Sequence, residues 1–169
     1  MITQNSAQPQ GHSTPAQMRI SGQEEDGLFP GTIILTQRGE VPVEHLTKAD
    51  KVITRNSGFS PLLDVTHHWM DTNCVRVRAG SLGHTRPEAD MDLPASQHVL
   101  IRDWRAKSIF GQSQAFAPIG ALVDEEFITD LGQQYVVVYQ LSFERPQVIY
   151  AGGMELCIYP RKAQHRHAA

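Results

Sequence analysis

Cysteine is almost missing from this chain. Cys74 and Cys157 are the only two in 169 residues, too few for the disulfide framework that staples small secreted domains. A single bridge between them stays open on the sequence, and two half-buried thiols are the simpler account. Long apolar runs are missing as well: no stretch approaches the roughly 20 residues that span a bilayer. The opening Met1-Ile2-Thr3-Gln4-Asn5-Ser6 lacks the basic start and apolar core of a secretory leader. The expectation is a soluble cytoplasmic protein without membrane contact, or one exported without a cleaved signal peptide. Nor does either charge dominate, with a formal net charge of −3 and a pI near 6.2. Without clustered Lys and Arg there is no counterion release to drive binding, which sets nucleic acid aside as a partner. A Gly-rich phosphate loop, a CxxC pair and an HExxH helix are all absent, so neither cofactor nor metal is expected.

What is present suits one β-rich domain. Hydrophobic residues make up 40% and charged residues 20% of the chain, enough for a sizeable core in a single domain. Residues 1–26 are rich in Gln, Ser, Thr and Pro and poor in large apolar side chains, a composition expected to stay disordered. Residues 161–169, basic and following Pro160, read as a flexible tail. The domain proper is expected over 27–160.

Within it, β-branched and aromatic residues gather in short runs punctuated by Gly and Pro. Strands are predicted at Thr32–Thr36, Lys51–Arg55, Leu62–Thr66, Val75–Ala79, His98–Arg102, Ala115–Pro118, Tyr135–Phe143 and Val148–Ala151. Alternation of Tyr139, Leu141 and Phe143 with Gln140 and Ser142 places three large side chains toward the core. A helical turn is predicted at Ile119–Val123, extending briefly through Asp124–Ile128, and Gly80–Pro94 reads as a surface loop. The fold class is all-β, with many short curled strands and at most one or two helical turns.

Few residues outside a family pattern invite chemistry. His67 and His68 are neighbours on a strand and point to opposite faces, so they cannot easily share a metal ion. His165 and His167 fall in the tail with no third ligand nearby in sequence. Glu88, Asp90 and Asp92 read as a solvated charge cluster in a Pro-containing loop rather than a pair of catalytic carboxylates.

One stretch is more specific. Phe29-Pro30-Gly31-Thr32-Ile33-Ile34-Leu35-Thr36, a turn at Gly39, then Val43-Glu44-His45-Leu46 and Ala49-Asp50-Lys51-Val52-Ile53-Thr54 resemble the opening block of the Hedgehog/intein (Hint) superfamily. Val77 to Gly83 resembles a central signature of a bacterial branch, and Gln97-His98-Val99-Leu100-Ile101-Arg102-Asp103-Trp104-Arg105-Ala106 resembles its histidine block. Ala121 to Asp124, Leu141 to Arg145 and Val148 to Ala151 continue in the family's order, so the resemblance covers roughly residues 27 to 160. It implies a compact Hint fold and an autoprocessing ancestry.

Self-processing in such domains starts when a side-chain thiol or hydroxyl attacks the preceding carbonyl. It needs that nucleophile, an acid for the departing amide nitrogen, and donors for the oxyanion. By the resemblance, the nucleophilic cysteine belongs at position 27, which is Gly27, and the acid is His98. The companion hydroxyl belongs at Ala95, with Ser96 adjacent, and a late histidine belongs at Pro146. The implied function is a Hint domain inactive in self-cleavage, serving as a structural or protein-interaction module with no identified partner. The alternative is residual processing at Asp26–Gly27 assisted by His98, with Ser96 and Cys157 as substitute groups. Cys157 enters because Hint folds bring their two ends together.

Overall fold

A computed structural model describes residues 26–160. Its strands form two antiparallel sheets. The larger joins β1 (Ile33–Thr36), β2 (Gly39–Pro42), β3 (Lys51–Thr54), β4 (Gly58–Pro61), β7 (His98–Ile101), β8 (Ala115–Pro118), β10 (Gln147–Ala151) and β11 (Met154–Ile158). Its order is β2-β1-β3-β10-β11-β7-β8, with β4 on β3 and a further bridge from β1 to β10. The second sheet is β6 (Met91–Pro94), β5 (Asp64–Val77) and β9 (Ile128–Ser142), in the order β6-β5-β9. Single 3-10 turns at Val43–His45 and Ile119–Leu122 and one helix, α1 (Trp104–Phe110), complete the described elements.

The β10–β11 hairpin shows how local chemistry shapes this topology. Ala151 pairs with Met154 across a two-residue loop, Gly152-Gly153, with φ of 57° and 79°. Both central residues of such a turn need positive φ, which glycine alone adopts without a Cβ penalty. The hairpin's strands lie mid-sheet. All five residues of β11 are buried, and Ile34, Val52, Ile101, Ile149 and Leu156 pack into one continuous core.

Several sequence expectations change here. The separate strands predicted at Leu62–Thr66 and Val75–Ala79 are two parts of one 14-residue strand, β5. The strand predicted at Tyr135–Phe143 is the second half of β9, which starts at Ile128. These two strands pair along their length, with an irregularity between Cys74 and Val75. Strands β2, β4 and β11 were not expected. The first two are edge strands built of Gly-Glu-Val-Pro and Gly-Phe-Ser-Pro, residues that ordinarily mark turns and are tolerated at sheet edges. In β11, burial on both faces removes the alternation that announces a strand.

Part of the expected loop at Gly80–Pro94 is strand β6. Asp92 lies on it and takes two hydrogen bonds from Arg76, at 2.7 and 2.9 Å, rather than standing in a solvated cluster. The turn at Ile119–Leu122 is present, but its expected extension is not helical. Asp124 Oδ1 instead accepts the backbone N–H groups of Glu126, Phe127 and Ile128, closing a turn.

Helix α1 was also unexpected at its position. It buries only Arg105 and Ala106 and leaves Trp104 and Ile109 exposed, so no apolar stripe is written in its sequence. Its ends carry the signal instead. Asp103 accepts the Arg105 N–H, and Gly111 closes the helix at φ 69°.

Candidate functional site

The described chain enters the domain by pairing with β9. The Leu28 N–H donates to the Tyr139 carbonyl at 2.9 Å, and the Leu28 carbonyl accepts from the Tyr139 N–H at 2.8 Å. Fully buried, Leu28 anchors Asp26 and Gly27 beside the end of β11. Asp26, Gly27, Gln97, Gln140, Cys157 and Tyr159 border a cavity of only about 20 Å³. The two ends of the domain therefore meet, as the resemblance implied.

Gly27 is packed too tightly to carry any side chain. A Cβ there would sit 2.3 Å from Val138 Cγ1 and 2.6 Å from the Tyr139 carbonyl oxygen, well inside van der Waals contact. Moving the second obstacle means moving the backbone of β9. The carbonyl preceding Gly27 does have a donor: Gln140 Nε2 reaches Asp26 O at 3.1 Å.

His98 stands nearby, at the start of β7. Its Nδ1 is 3.5 Å from Asp26 Oδ2, and the two side chains are 12% and 14% exposed. Tyr159 meets the imidazole edge-on, with ring centroids 5.5 Å apart. Gln97, fully buried, holds the start of β7 to β11 by donating to the His98 and Cys157 carbonyls, both at 2.9 Å. The side chain of Gln97 thus fixes the backbone from which His98 projects.

Cys157 borders the same cavity, but its environment favours the neutral thiol. Burial pushes its pKa up, and the Asp26 carboxylate adds to that against a hydrogen bond with Tyr159 that lowers it. The Tyr159 phenol is itself pushed upward, first by burial and then by Cys157. A thiolate is the nucleophilic form, so this geometry disfavours attack at neutral pH. Cys74 and Cys157 are both free and buried, and no bridge joins them.

The other sequence candidates lie elsewhere. Ala95 is in the β6–β7 turn, where its carbonyl accepts the Gly120 N–H at 2.8 Å. Ser96 follows with its Oγ buried and without a hydrogen-bond partner among the described residues, and it does not border the cavity. Pro146 is exposed between β9 and β10, its carbonyl accepting from Asn56 at 3.1 Å. His67 stacks on Tyr139 at 5.1 Å and His68 lies opposite Val138. His165 and His167 fall outside the described residues.

Sequence reasoning missed Asp26, Gln140 and Tyr159. Asp26 was read as the end of a disordered leader and Gln140 as an outward-facing residue. Gln140 is only 4% exposed because the segment at Asp26–Leu28 covers the second face of β9. No periodicity within β9 reports that covering.

Residues 27–158 match the model of the Hint domain family. The chain is a Hint domain. Among solved structures, it is similar to a bacterial intein-like domain from Clostridium thermocellum, at 16% identity and a TM-score of 0.55, over 79% of this chain and 98% of that one. It is also similar to the gp41-1 intein carrying three substitutions, at 12% identity and a TM-score of 0.50, over 78% of this chain and 98% of that one. No curated protein matches the chain. These likenesses place the Hint fold over the mostly β structure described above, and they speak to fold rather than activity.

A cavity of about 640 Å³ lies apart from this cluster, bordered by Phe29, Tyr150, Arg76 and the carboxylates Glu88, Asp90 and Asp92. Nothing that borders it sits on the Asp26–Gly27 bond.

Proposed function

We propose that this Hint domain does not cleave itself through the family's nucleophilic route and works as a structural or protein-interaction module, gripping the polypeptide that precedes Gly27. The observation that carries this reading is the packing at Gly27. The family reaction requires a side chain at that residue, and Val138 together with the Tyr139 carbonyl occupies its place. Two further observations support it. A cavity of about 20 Å³ holds little beyond a single water, and the only nearby thiol is held neutral by burial. An interaction role is supported by the stacked pair Trp69 and Tyr135, ring centroids 5.2 Å apart and 61% and 64% exposed, on the β5–β9 ribbon.

A specific observation favours residual cleavage at Asp26–Gly27 as the second reading. Gln140 Nε2 already donates to the carbonyl that would become the oxyanion, and His98 is poised beside Asp26. These supply two of the three required elements, and the nucleophile is the third.

Intact-mass spectrometry of the full-length chain, incubated for a day with and without a strong thiol, separates the readings. The expected result is a single species at 18.8 kDa under both conditions. A fragment beginning at Gly27 that disappears in His98→Ala would overturn the proposal and establish the second reading.

A further inference from the structure

Far from Gly27 in the chain, Glu155 is buried in the middle of the larger sheet, its side chain 2% exposed. Three arginines converge on it. Arg55, just past β3, reaches Oε1 at 2.7 Å. Arg86, from the loop before β6, reaches Oε2 at 2.9 Å, and Arg102, just past β7, reaches the same oxygen at 2.8 Å. One guanidinium would neutralise a buried carboxylate, and a bidentate one would also satisfy its lone pairs. Three exceed what Glu155 alone requires.

The excess charge faces solvent through a cavity. The arginine side chains are 37%, 29% and 35% exposed, and together with Tyr150 and His84 they border an open pocket of about 350 Å³. Each guanidinium has five N–H donors. Among the described residues, each of these three side chains is paired with Glu155 alone. Glu88, the other carboxylate on the wall, lies exposed, where solvent screens it. A smaller cavity of about 100 Å³ adjoins, bordered by Leu82, Val99, Leu100 and Met154 as well as Arg86 and Arg102.

We infer that this pocket is a binding site for a small phosphate monoester, the phosphoryl group seated on Arg55, Arg86 and Arg102. The chemistry matches in three ways. A phosphoryl group carries close to two negative charges and three terminal oxygens, which suit three convergent guanidinium forks. Planar forks hold oxyanions bidentately where an ammonium cannot. Glu155 acts as the preorganising group, holding the three long side chains in place before the ligand arrives and so reducing the ordering cost of binding. The adjoining recess, with Leu82, Val99, Leu100 and Met154 on part of its wall, leaves space for the carbon skeleton of the ester.

The test follows the arginine Nε–H resonances of the full-length chain by NMR at constant ionic strength, titrating inorganic phosphate in one arm and glycerol 3-phosphate in the other. Saturable shifts confined to Arg55, Arg86 and Arg102 are expected, tighter for the ester, while Arg38 and Arg76, each tied to an aspartate, stay still. Arg102→Gln should weaken binding about tenfold or more. Saturation by inorganic phosphate alone would overturn the ester and leave a free-anion site. Shifts that are absent, non-saturating or equal at Arg38 and Arg76 would overturn the site itself. Because that comparison is made within the unmodified chain, it holds even where the variant fails to fold.

Discussion

At position 27 a single hydrogen atom occupies the point where a side chain would start, and the surroundings have closed around it. Placing a cysteine there should therefore not produce self-cleavage. Gly27→Cys sets a Cβ against both Val138 and the Tyr139 carbonyl of β9, an overpacking cost of about 1–3 kcal/mol. A lowered thermal midpoint is expected, with no thiol-dependent fragment by mass spectrometry. A fragment released by Gly27→Cys in the presence of thiol would show instead that the packing at position 27 permits the reaction. His98 illustrates a different limit at the residue scale: a histidine at the start of a strand is visible in the sequence, whereas its partners are not. Asp26 and Tyr159 come from opposite ends of the domain, and only the fold brings them together.

Among the elements, α1 depends most on its ends. Seven residues are too few for intrinsic helix stability, and only Arg105 and Ala106 are buried. Asp103 serves twice, accepting the Arg105 N–H at 3.0 Å and pairing with the Arg105 guanidinium at 2.5 Å. That guanidinium also donates to the Ser81 carbonyl at 2.9 Å, tying the helix to the loop before β6. Asp103→Ala should cost about 2 kcal/mol or more, since it removes a cap and leaves a buried cation without its nearest anion. Chemical denaturation of the variant against the parent chain measures this, and a change below about 0.5 kcal/mol would refute the argument. The β5–β9 ribbon shows why strand lengths were underestimated. Its middle is exposed on both faces around Trp69 and Tyr135, so polar residues interrupt the pattern without interrupting the hydrogen-bond ladder.

For the whole molecule, carboxylates held by cations and backbone donors set the acid limit. Asp50 is 4% exposed. The Arg38 guanidinium, which donates to both its oxygens, and the Thr47 N–H together bring its pKa from 3.8 down to about 2 against the opposing effect of burial. Burial likewise opposes the lowering at Asp124, where the three backbone N–H groups and Arg105 prevail. A depressed folded-state pKa means stability that is complete above the unfolded value and is lost as pH falls through the folded one. The thermal midpoint should accordingly hold from pH 7 to about 5 and fall between about 4 and 2. Asp50→Asn should lower stability at pH 7 by about 1–2 kcal/mol and flatten that acid decline, because Arg38 is half exposed and solvent weakens the pair. An acid profile identical in Asp50→Asn and the parent would rule Asp50 out as a source.

By itself the sequence determined that this is one β-rich Hint domain, because hydrophobic runs, turn glycines and the order of short blocks are local properties, readable one segment at a time. It also determined that position 27 has no nucleophile, since residue identity needs no coordinates. The tertiary structure decided everything that depends on segments meeting. Two short predicted strands became one because β9 pairs along their whole length. Gln140 became a buried donor because the chain at Leu28 covers β9. Arg55, Arg86 and Arg102, scattered through the chain, became one site because β3, β7 and the loop before β6 all end around Glu155. Proximity between residues distant in sequence is set by packing the whole core, and no window of residues carries it.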